Sequence, residues 1–494
     1  MEGLNNFWKK FANCIVIPQR YLLGVMTGFA ILNAYTMRVS LSMAITEMVV
    51  KQNESMSNDS DACPIMEEHS YVTVKNTDLL YDWDEMIQGH ILGSFFWGYI
   101  ITHIPGAIIA EKVGAKHVLG VGMILNGILT LASPTIIQVT RGDWVVLVLL
   151  RFVEGLGQGP VYPAVTTILG QWIPAREHGA ISSIAYAGAL MGTVFTNSLS
   201  GVLITAVANW DIVFYFFGSL GLVWNIAWQL LCYSYPRTHP CLKGKEKEYL
   251  DKELATHVNT GKLKTPWKAI LTSFKVWALI IGQFGHDWGW FTMVTDLPKY
   301  MNAVLRFNVQ ENGFWSSFPY FFMWASTVGA GYLADWVINN KYLKIGMTRK
   351  ILATVGTMGP AIFMVLASYV GCRRILAVVM FTIALFLMGF YYPGMKINAL
   401  DLSPNFAGSI MALMNGIGVF AGMAVPVVVG VLAPNNGGWC FGSALLCLPS
   451  QTLSTSVECP ERYSRGTSRT CHLKRPRNKI LNKIYFKQIH VFFL

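Results

Sequence analysis

The sequence predicts an all-α membrane protein made of two related six-helix halves, with the twelfth helix missing or degraded. The chain of 494 residues is 53% apolar and only 13% charged, which leaves too little polar surface for a soluble globular protein of this size. Apolar stretches long enough to cross a bilayer recur about eleven times. Similar short segments follow the second stretch (107–116) and the eighth (331–336), which indicates a duplication.

The first half, 21–234, contains six predicted spans. They lie at 21–48, 86–110, 116–138, 144–169, 179–206 and 211–234. A polar linker, 235–272, follows them, and its excess of basic residues predicts a cytoplasmic location. Residues 1–20 carry no pattern typical of a cleaved signal peptide, so we expect a cytoplasmic N-terminus and an uncleaved first helix.

The second half, 273–434, contains five clear spans. They lie at 274–301, 312–336, 350–370, 375–396 and 406–432. The apolar run at 439–448 is too short to cross a bilayer unaided. Residues 435–494 read instead as an atypical basic tail, so the sequence suggests a variant whose twelfth helix has been replaced.

The loop between the first two spans, 49–85, carries nine acidic residues and two glycosylation sequons, at Asn53 and Asn58. Alternation of the spans places this loop opposite the cytoplasmic linker. We therefore predict a glycoprotein whose first loop lies outside the cytoplasm.

Composition and motifs exclude several other classes of protein. The net charge of +11 is spread over the loops, so no nucleic-acid partner is expected. The nine cysteines show no metal-ligand spacing, which predicts neither a metal site nor a disulfide framework. No catalytic constellation or nucleotide-binding motif is present, so we expect no enzyme and no cofactor. Gly155, Gly157 and Gly159 lack the phosphate-loop spacing, and close helix packing is predicted for them instead.

Two arginines inside spans are the main candidates for function. Arg38 and Arg151 each lie deep in an apolar stretch, where a guanidinium costs roughly 2.5–3.5 kcal/mol. They are predicted to bind an anion, with a structural ion pair to Glu154 as the alternative. Helical spacing places Tyr35 on the face of Arg38, and it places Glu154 and Gln158 on the face of Arg151.

Other polar residues in the spans are weaker candidates. Asp287 is a candidate sodium ligand, whereas its neighbour His286 is more typical of a hydrogen-bonded interior residue. Glu154 is either a carrier of the coupling cation or a fixed counter-ion. Tyr392 and Asn398 lie beside Pro393, where we expect a bend in the tenth helix and a contact with the cavity, or else an ordinary kink.

Three segments together, 93–106 (GSFFWGYIITHIPG), 151–163 (RFVEGLGQGPVYP) and 401–408 (DLSPNFAG), are highly distinctive. They resemble the anion:cation symporter family of the major facilitator superfamily, which includes sialin and the vesicular glutamate transporters. Residues 285–288 and 292–301 are most similar to its inorganic phosphate cotransporter branch. The resemblance implies a major facilitator fold in which Arg38 and Arg151 face the central cavity and meet the substrate anion.

The resemblance also implies a gate at the cytoplasmic side. Glu111, Lys112 and Asp335 occupy the gating motif of the superfamily, where charged groups cap neighbouring helix ends. Glu177 belongs to a second family segment, in which arginine usually follows the glutamate. His178 stands there in this chain, which we expect to weaken the gate.

The chain departs from the family pattern at three positions. Vesicular glutamate transporters have histidine where this chain has Leu92 and arginine where it has His286, which counts against vesicular glutamate transport. Proton-coupled members have glutamate where this chain has Gln158. That difference counts against proton coupling and favours sodium.

The sequence therefore favours a secondary active transporter that couples sodium entry to uptake of inorganic phosphate or another small anion at the plasma membrane. A proton-coupled transporter of sialic acid-like anions, in a lysosomal or vesicular membrane, is one alternative. A non-transporting variant that lacks the twelfth helix is another.

Overall fold

The computed structural model describes residues 18–49, 81–83, 85–207, 209–239, 242, 244–254, 265–303, 305 and 309–432. Apart from one isolated β-bridge between Val49 and Tyr81, these residues form helices and their connections. The predicted all-α class is confirmed. Nine helical stretches within the described residues are long and apolar enough to cross a membrane.

The first half contains the six predicted spans. Its helices are α1 (Gln19–Met48), α2 (Glu85–Val113), α3 (Ala115–Val139), α4 (Trp144–Gln158), α5 (Val161–Trp172), α6 (His178–Val207) and α7 (Asp211–Leu231). The linker forms two shorter helices, α8 (Gly244–Leu254) and α9 (Trp267–Leu271). We call the end of the bundle that carries α8 the linker end, and the opposite end the far end.

The second half has a helix at each of the five predicted spans. Its helices are α10 (Phe274–Ala303), α11 (Val309–Asn339), α12 (Ile345–Ser368), α13 (Arg374–Met388), α14 (Asn398–Leu402) and α15 (Ala407–Leu432). α10 and α11 are 30 and 31 residues long, sufficient to cross a bilayer, although polar residues lower their hydropathy.

Two spans are interrupted. The fourth breaks between α4 and α5, because Pro160 has no N–H group to continue the hydrogen-bond ladder. The tenth changes to a π-helical turn at Tyr392–Lys396 before α14 begins. A Cβ atom on Gly394 in that turn would press against the backbone of Ala353, so the turn packs directly on α12. π-helical turns are rare and often occur at functional sites.

Glycines let the helices of the first half approach closely. A Cβ atom on Gly155 would overlap the carbonyl oxygen of Phe95 in α2, and one on Gly159 would overlap Thr102 and Tyr99. The prediction that these glycines serve close packing is confirmed. A Cβ atom on Gly188 of α6 would likewise overlap the carbonyl oxygen of Gly28 in α1.

The two halves pack together through α6 against α11 and through α2 and α5 against α15. Large apolar side chains cover the outside of the bundle, including Trp97, Val121, Ile226 and Ile375, each more than half exposed. An apolar outer surface is what a lipid environment requires, because lipid cannot hydrogen-bond with polar groups.

The cysteine pattern gave one wrong expectation. Cys372, in the connection before α13, is disulfide-bonded, although the spacing of the cysteines predicted no disulfide framework. Sequence spacing does not show which cysteines meet in space, and a disulfide requires Cα atoms within about 7 Å.

Several predictions fall outside the described residues. These are glycosylation at Asn53 and Asn58, the missing twelfth helix and the basic tail at 435–494. They stay predictions.

We predict that Gly188→Val lowers the melting temperature and the yield of monodisperse protein, because the added side chain forces α1 and α6 apart. Overpacking of this kind costs about 1–3 kcal/mol. Gly201→Val on the same helix is the matched control, since a Cβ atom at Gly201 has no heavy atom within 4 Å. Equal melting temperatures for the two purified variants would contradict the packing described for α1 and α6.

Candidate functional site

Arg151, one of the two candidate arginines, is neutralised by a partner in its own helix. Arg151 donates from Nη1 to Oε2 of Glu154 at 2.7 Å, and both residues are buried. Its Nη2 donates to the backbone oxygen of Arg38 at 3.0 Å, which ties α4 to α1. In this conformation Arg151 therefore forms the structural ion pair with Glu154 that was the alternative to anion binding.

Arg38 has a different environment. Its guanidinium lies over aromatic rings, with Cζ 4.5 Å from the ring centroid of Phe96, 4.9 Å from that of Phe95 and 5.6 Å from that of Tyr35. The side chain is half-buried, and no carboxylate of the described residues lies within ion-pair distance. Arg38 thus carries a positive charge that cation–π contacts stabilise but do not neutralise.

A third cation, Lys396, comes from the second half. It lies in the π-helical turn and is 6% exposed. Its Nζ is 4.4 Å from the ring centroid of Tyr162, and the rings of Tyr392 and Tyr186 are 5.3 and 5.6 Å away. The sequence analysis missed Lys396, although a lone lysine within the apolar stretch of the tenth span was a visible signal.

The predicted cation-coupling residues of α10 form a cluster with the tenth span. Gln283 donates from Nε2 to Oδ1 of Asp287 at 2.7 Å and accepts a hydrogen bond from the hydroxyl of Tyr391 at 2.8 Å. His286 stacks on Tyr391, with 3.6 Å between the ring centroids. Asp287 is partly exposed, adjoins Gly418 of α15 and attracts Lys396 electrostatically.

The side-chain amides of two predicted site residues donate hydrogen bonds to backbone oxygens. Gln158 donates from Nε2 to the backbone oxygen of Ala34 at 2.7 Å, and Asn398 donates to that of Gly394 at 2.9 Å. Buried amides need hydrogen-bond partners, and these two find them on nearby helix carbonyls. Gln158 therefore joins α4 to α1, and the Asn398 contact lies within the tenth span.

His103 is a further polar residue that the sequence analysis missed. It is fully buried, and neither ring nitrogen makes a hydrogen bond of good geometry among the described residues, although the backbone of Gly159 interacts weakly with the ring. Its ring lies 4.7 Å from that of Tyr99, beside Gly416 of α15. A buried polar group without a well-formed hydrogen bond is costly, which makes His103 unusual in this helix.

Two carboxylates hold the halves together at the linker end. Glu111 of α2 accepts hydrogen bonds from the backbone nitrogen and hydroxyl of Ser409, both at 2.8 Å, near the start of α15. Asp335 of α11 accepts from the backbone nitrogens of Gly179 and Ala180 at 3.0 and 2.6 Å, at the start of α6. Each carboxylate caps the N-terminus of a helix in the opposite half.

A third contact between the halves centres on Asp401. It accepts from Nε of Arg349 at 2.9 Å, and its other oxygen lies 2.9 Å from Nδ1 of His178. Nε2 of His178 lies 3.0 Å from the backbone oxygen of Ile173. We had expected His178 to weaken the gate, but it adds a hydrogen bond between the halves, because α6 places it beside α14. Arg349 escaped the sequence analysis, since its partner is 52 residues away.

The other two predicted gating residues do not join the halves in this way. Lys112 is exposed, and no ion pair with it occurs among the described residues. Glu177 accepts from Nε of Arg20 at 2.6 Å and from the hydroxyl of Tyr249 at 3.2 Å, which docks the linker helix α8 on the first half. Burial and the nearby Glu177 carboxylate raise the pKa of Tyr249 to about 12, so this hydroxyl stays protonated as a donor.

A comparison with protein families matches residues 23–426 to the Major Facilitator Superfamily. Human sialin is 40% identical over 426 residues, covering 85% of this chain and 84% of sialin. A Drosophila melanogaster protein named "Putative inorganic phosphate cotransporter" is 37% identical, with coverages of 85% and 80%. Human vesicular glutamate transporter 2 is 30% identical, with coverages of 86% and 70%. These relatives match the anion:cation symporter family.

Solved structures show the same fold. The proton:xylose symporter XylE superposes with a TM-score of 0.61 at 15% identity, covering 88% of this chain and 94% of XylE. The transporter FucP in its outward conformation gives 0.59 at 13% identity, covering 89% and 98%. At these identities the likeness extends to the fold alone.

We predict that Asp335→Ala opens the linker end, because the start of α6 loses its cap from the opposite half, worth about 1 kcal/mol. The readout is labelling of Thr167→Cys, a buried position in α5 beside Gly408, by a membrane-impermeant thiol reagent in inside-out membranes. Labelling should be faster in the Asp335→Ala background than in the parent.

Asp143→Ala is the matched control, since Asp143 caps α4 at the far end through a hydrogen bond from the nitrogen of Val145. It removes a cap without touching the contacts between the halves. Equal labelling rates in the Asp335→Ala and Asp143→Ala backgrounds would show that Asp335 does not hold the linker end closed.

Proposed function

The chain belongs to the major facilitator superfamily of membrane transporters, and we propose that it is a secondary active transporter that couples entry of sodium to uptake of a small anion. Inorganic phosphate is the anion that we favour. Binding takes place between the two halves, and transport follows from their rocking about the central site. The plasma membrane is the location that fits uptake.

The observation that carries the proposal is the position of Arg38. A guanidinium within a span is costly unless a negative charge meets it. Arg151 has Glu154, whereas Arg38 has only aromatic faces among the described residues. An anion that enters the site would provide the missing charge, and the planar guanidinium suits the two oxygens of a phosphate or carboxylate.

Asp287 is the proposed ligand of the coupling cation. Glu154 is engaged by Arg151, and Gln158 cannot ionise. Asp287 forms no ion pair within 4.0 Å among the described residues, and Gln283 donates to only one of its oxygens. Hard cations such as sodium prefer oxygen ligands, which carboxylates and backbone carbonyls supply.

The contacts at the linker end support alternating access. Glu111, Asp335 and Asp401 all bridge the halves there through hydrogen bonds to helix ends or side chains. Such contacts are individually modest, about 0.5–3 kcal/mol, so binding of ions and anion can break and remake them. The conformation described has its linker end closed, and the anion would enter from the far end.

Proton-coupled transport of a larger organic anion is the second candidate. The 40% identity to sialin favours it, and Asp287 could take up a proton as readily as a sodium ion. A non-transporting variant is the third, and only a direct assay of uptake separates it from the others.

We predict that Arg38→Ala raises the apparent KM for phosphate uptake by about 10- to 100-fold, because a charge-assisted hydrogen bond is worth about 1.5–3 kcal/mol. Arg38→Lys should retain part of the affinity. Uptake of labelled phosphate, N-acetylneuraminate and glutamate into cells with equal surface expression gives the measurement. Arg176→Ala, at an exposed arginine, is the control.

Arg151→Ala should behave differently and lose folded protein, since it leaves Glu154 buried without a partner, a cost of about 3–5 kcal/mol. The double variant Arg151→Ala, Glu154→Ala should recover expression.

Unaltered uptake in Arg38→Ala would refute the role of Arg38. Absence of uptake of all three anions despite surface expression would refute transport of these anions.

We predict that replacing sodium by choline abolishes uptake, and that Asp287→Asn removes the dependence on sodium because the cation loses its anionic ligand. Asp251→Asn, at an exposed carboxylate of the linker, should leave the dependence unchanged. Uptake in choline that a protonophore abolishes would favour the proton-coupled candidate instead.

A further inference from the structure

Lys396 is an unusual residue for its location. It lies within the span Arg374–Leu402, in a π-helical turn, and is 6% exposed. A charged residue within a span is costly, and such residues usually face a cavity and serve function.

The surroundings of Lys396 stabilise its charge without using its hydrogen-bond donors. Three tyrosine rings surround Nζ at 4.4–5.6 Å. Within the described residues no carboxylate forms an ion pair with it, and no atom accepts a hydrogen bond from Nζ; Asp287 attracts it only at longer range. An ammonium group has three N–H donors, and no described residue accepts a hydrogen bond from any of the three.

Lys396 and Arg38 border the same pair of aromatic rings. Arg38 lies over Tyr35, and Lys396 lies over Tyr162. The two tyrosines meet edge to face, with 6.4 Å between their centroids and 3.4 Å between their hydroxyl oxygens. The pair thus connects a cation of the first half with a cation of the second half.

The two cations lie at different depths. Arg38 is closer to the end of α1 at Met48, on the far side, whereas Lys396 comes only six residues before Leu402, at the linker end. At 1.5 Å per residue, Lys396 lies roughly 9 Å from that end. A small anion entering from the far end would therefore meet Arg38 first and Lys396 later.

We propose that Lys396 is a second anion-binding residue, which receives a small oxyanion through its ammonium group at the linker end of the cavity. The inference rests on the proposed function and adds a contact from the second half to it. Two of the three rings, those of Tyr162 and Tyr186, belong to the first half. Their contacts with Lys396 last only while the linker end is closed, and a bound oxyanion compensates the lysine when the halves separate.

The experiment is a titration of the purified full-length protein with inorganic phosphate, with the melting temperature as readout, because a ligand that binds the folded state raises it. N-acetylneuraminate and glutamate are titrated in parallel. Lys396→Gln and Lys396→Met should each raise the apparent Kd for the stabilising anion by about tenfold or more. Methionine fills the tyrosine-lined space without a charge, so it separates loss of charge from loss of packing.

Two controls complete the test. Lys344→Gln removes an exposed lysine of the same half and should leave the Kd within about threefold of the parent value. Lys396→Arg keeps the charge and should retain most of the affinity, which a purely structural role would not predict for the larger side chain.

The outcomes distinguish this inference from the proposed function. An anion affinity that depends on Arg38 but is unchanged in both Lys396→Gln and Lys396→Met overturns the inference alone. A parent protein that no tested anion stabilises, and that takes none of them up, overturns both.

Discussion

The buried ion pair between Arg151 and Glu154 is the interaction on which the site depends. It forms within one turn of α4, and the second Nη of Arg151 holds the backbone of Arg38, so the two arginine-bearing helices are fixed to each other. Because Glu154 neutralises only one guanidinium, the other keeps its charge. The pair supplies little net stability by itself, since desolvation offsets much of the attraction, but removing one partner would leave a buried charge. Its effect is to leave one positive charge, at Arg38, on the first half's side of the candidate site.

Two similar stretches of sequence make equivalent contacts at the linker end. The similar segments after the second and eighth spans carry Glu111 and Asp335, and each residue caps a helix of the opposite half: α15 for Glu111 and α6 for Asp335. A carboxylate at a helix N-terminus meets unpaired N–H groups and the positive end of the helix dipole. Three of the four hydrogen bonds come from backbone nitrogens, so the contacts depend on helix position more than on particular side chains. Such contacts can break and reform when the linker end opens and closes.

The second half contributes a different set of groups. Asp287, with Gln283 and Tyr391, brings a carboxylate to α10, and Lys396 brings a cation to the tenth span. The π-helical turn that carries Lys396 packs against the backbone of α12, which fixes the lysine where Tyr162 and Tyr186 of the first half reach it. Both halves thus carry cations toward the central tyrosines, and among the described residues the second half contributes a partly exposed carboxylate, Asp287.

The sequence by itself determined the helices and the contacts within one helix. Bilayer thickness sets the length of each apolar stretch, so helices were predicted at eleven stretches, and the described residues form a helix at each of them. Helical spacing brought Glu154 to Arg151 as one alternative. Only the tertiary structure decided the contacts between helices. Asp401 meets His178 across 223 residues, the amide of Gln158 turns to the backbone of α1, and Lys396 lies among tyrosines of the other half. The rotation and depth at which two helices pack depend on the side chains of both, and neither stretch of sequence contains that information alone.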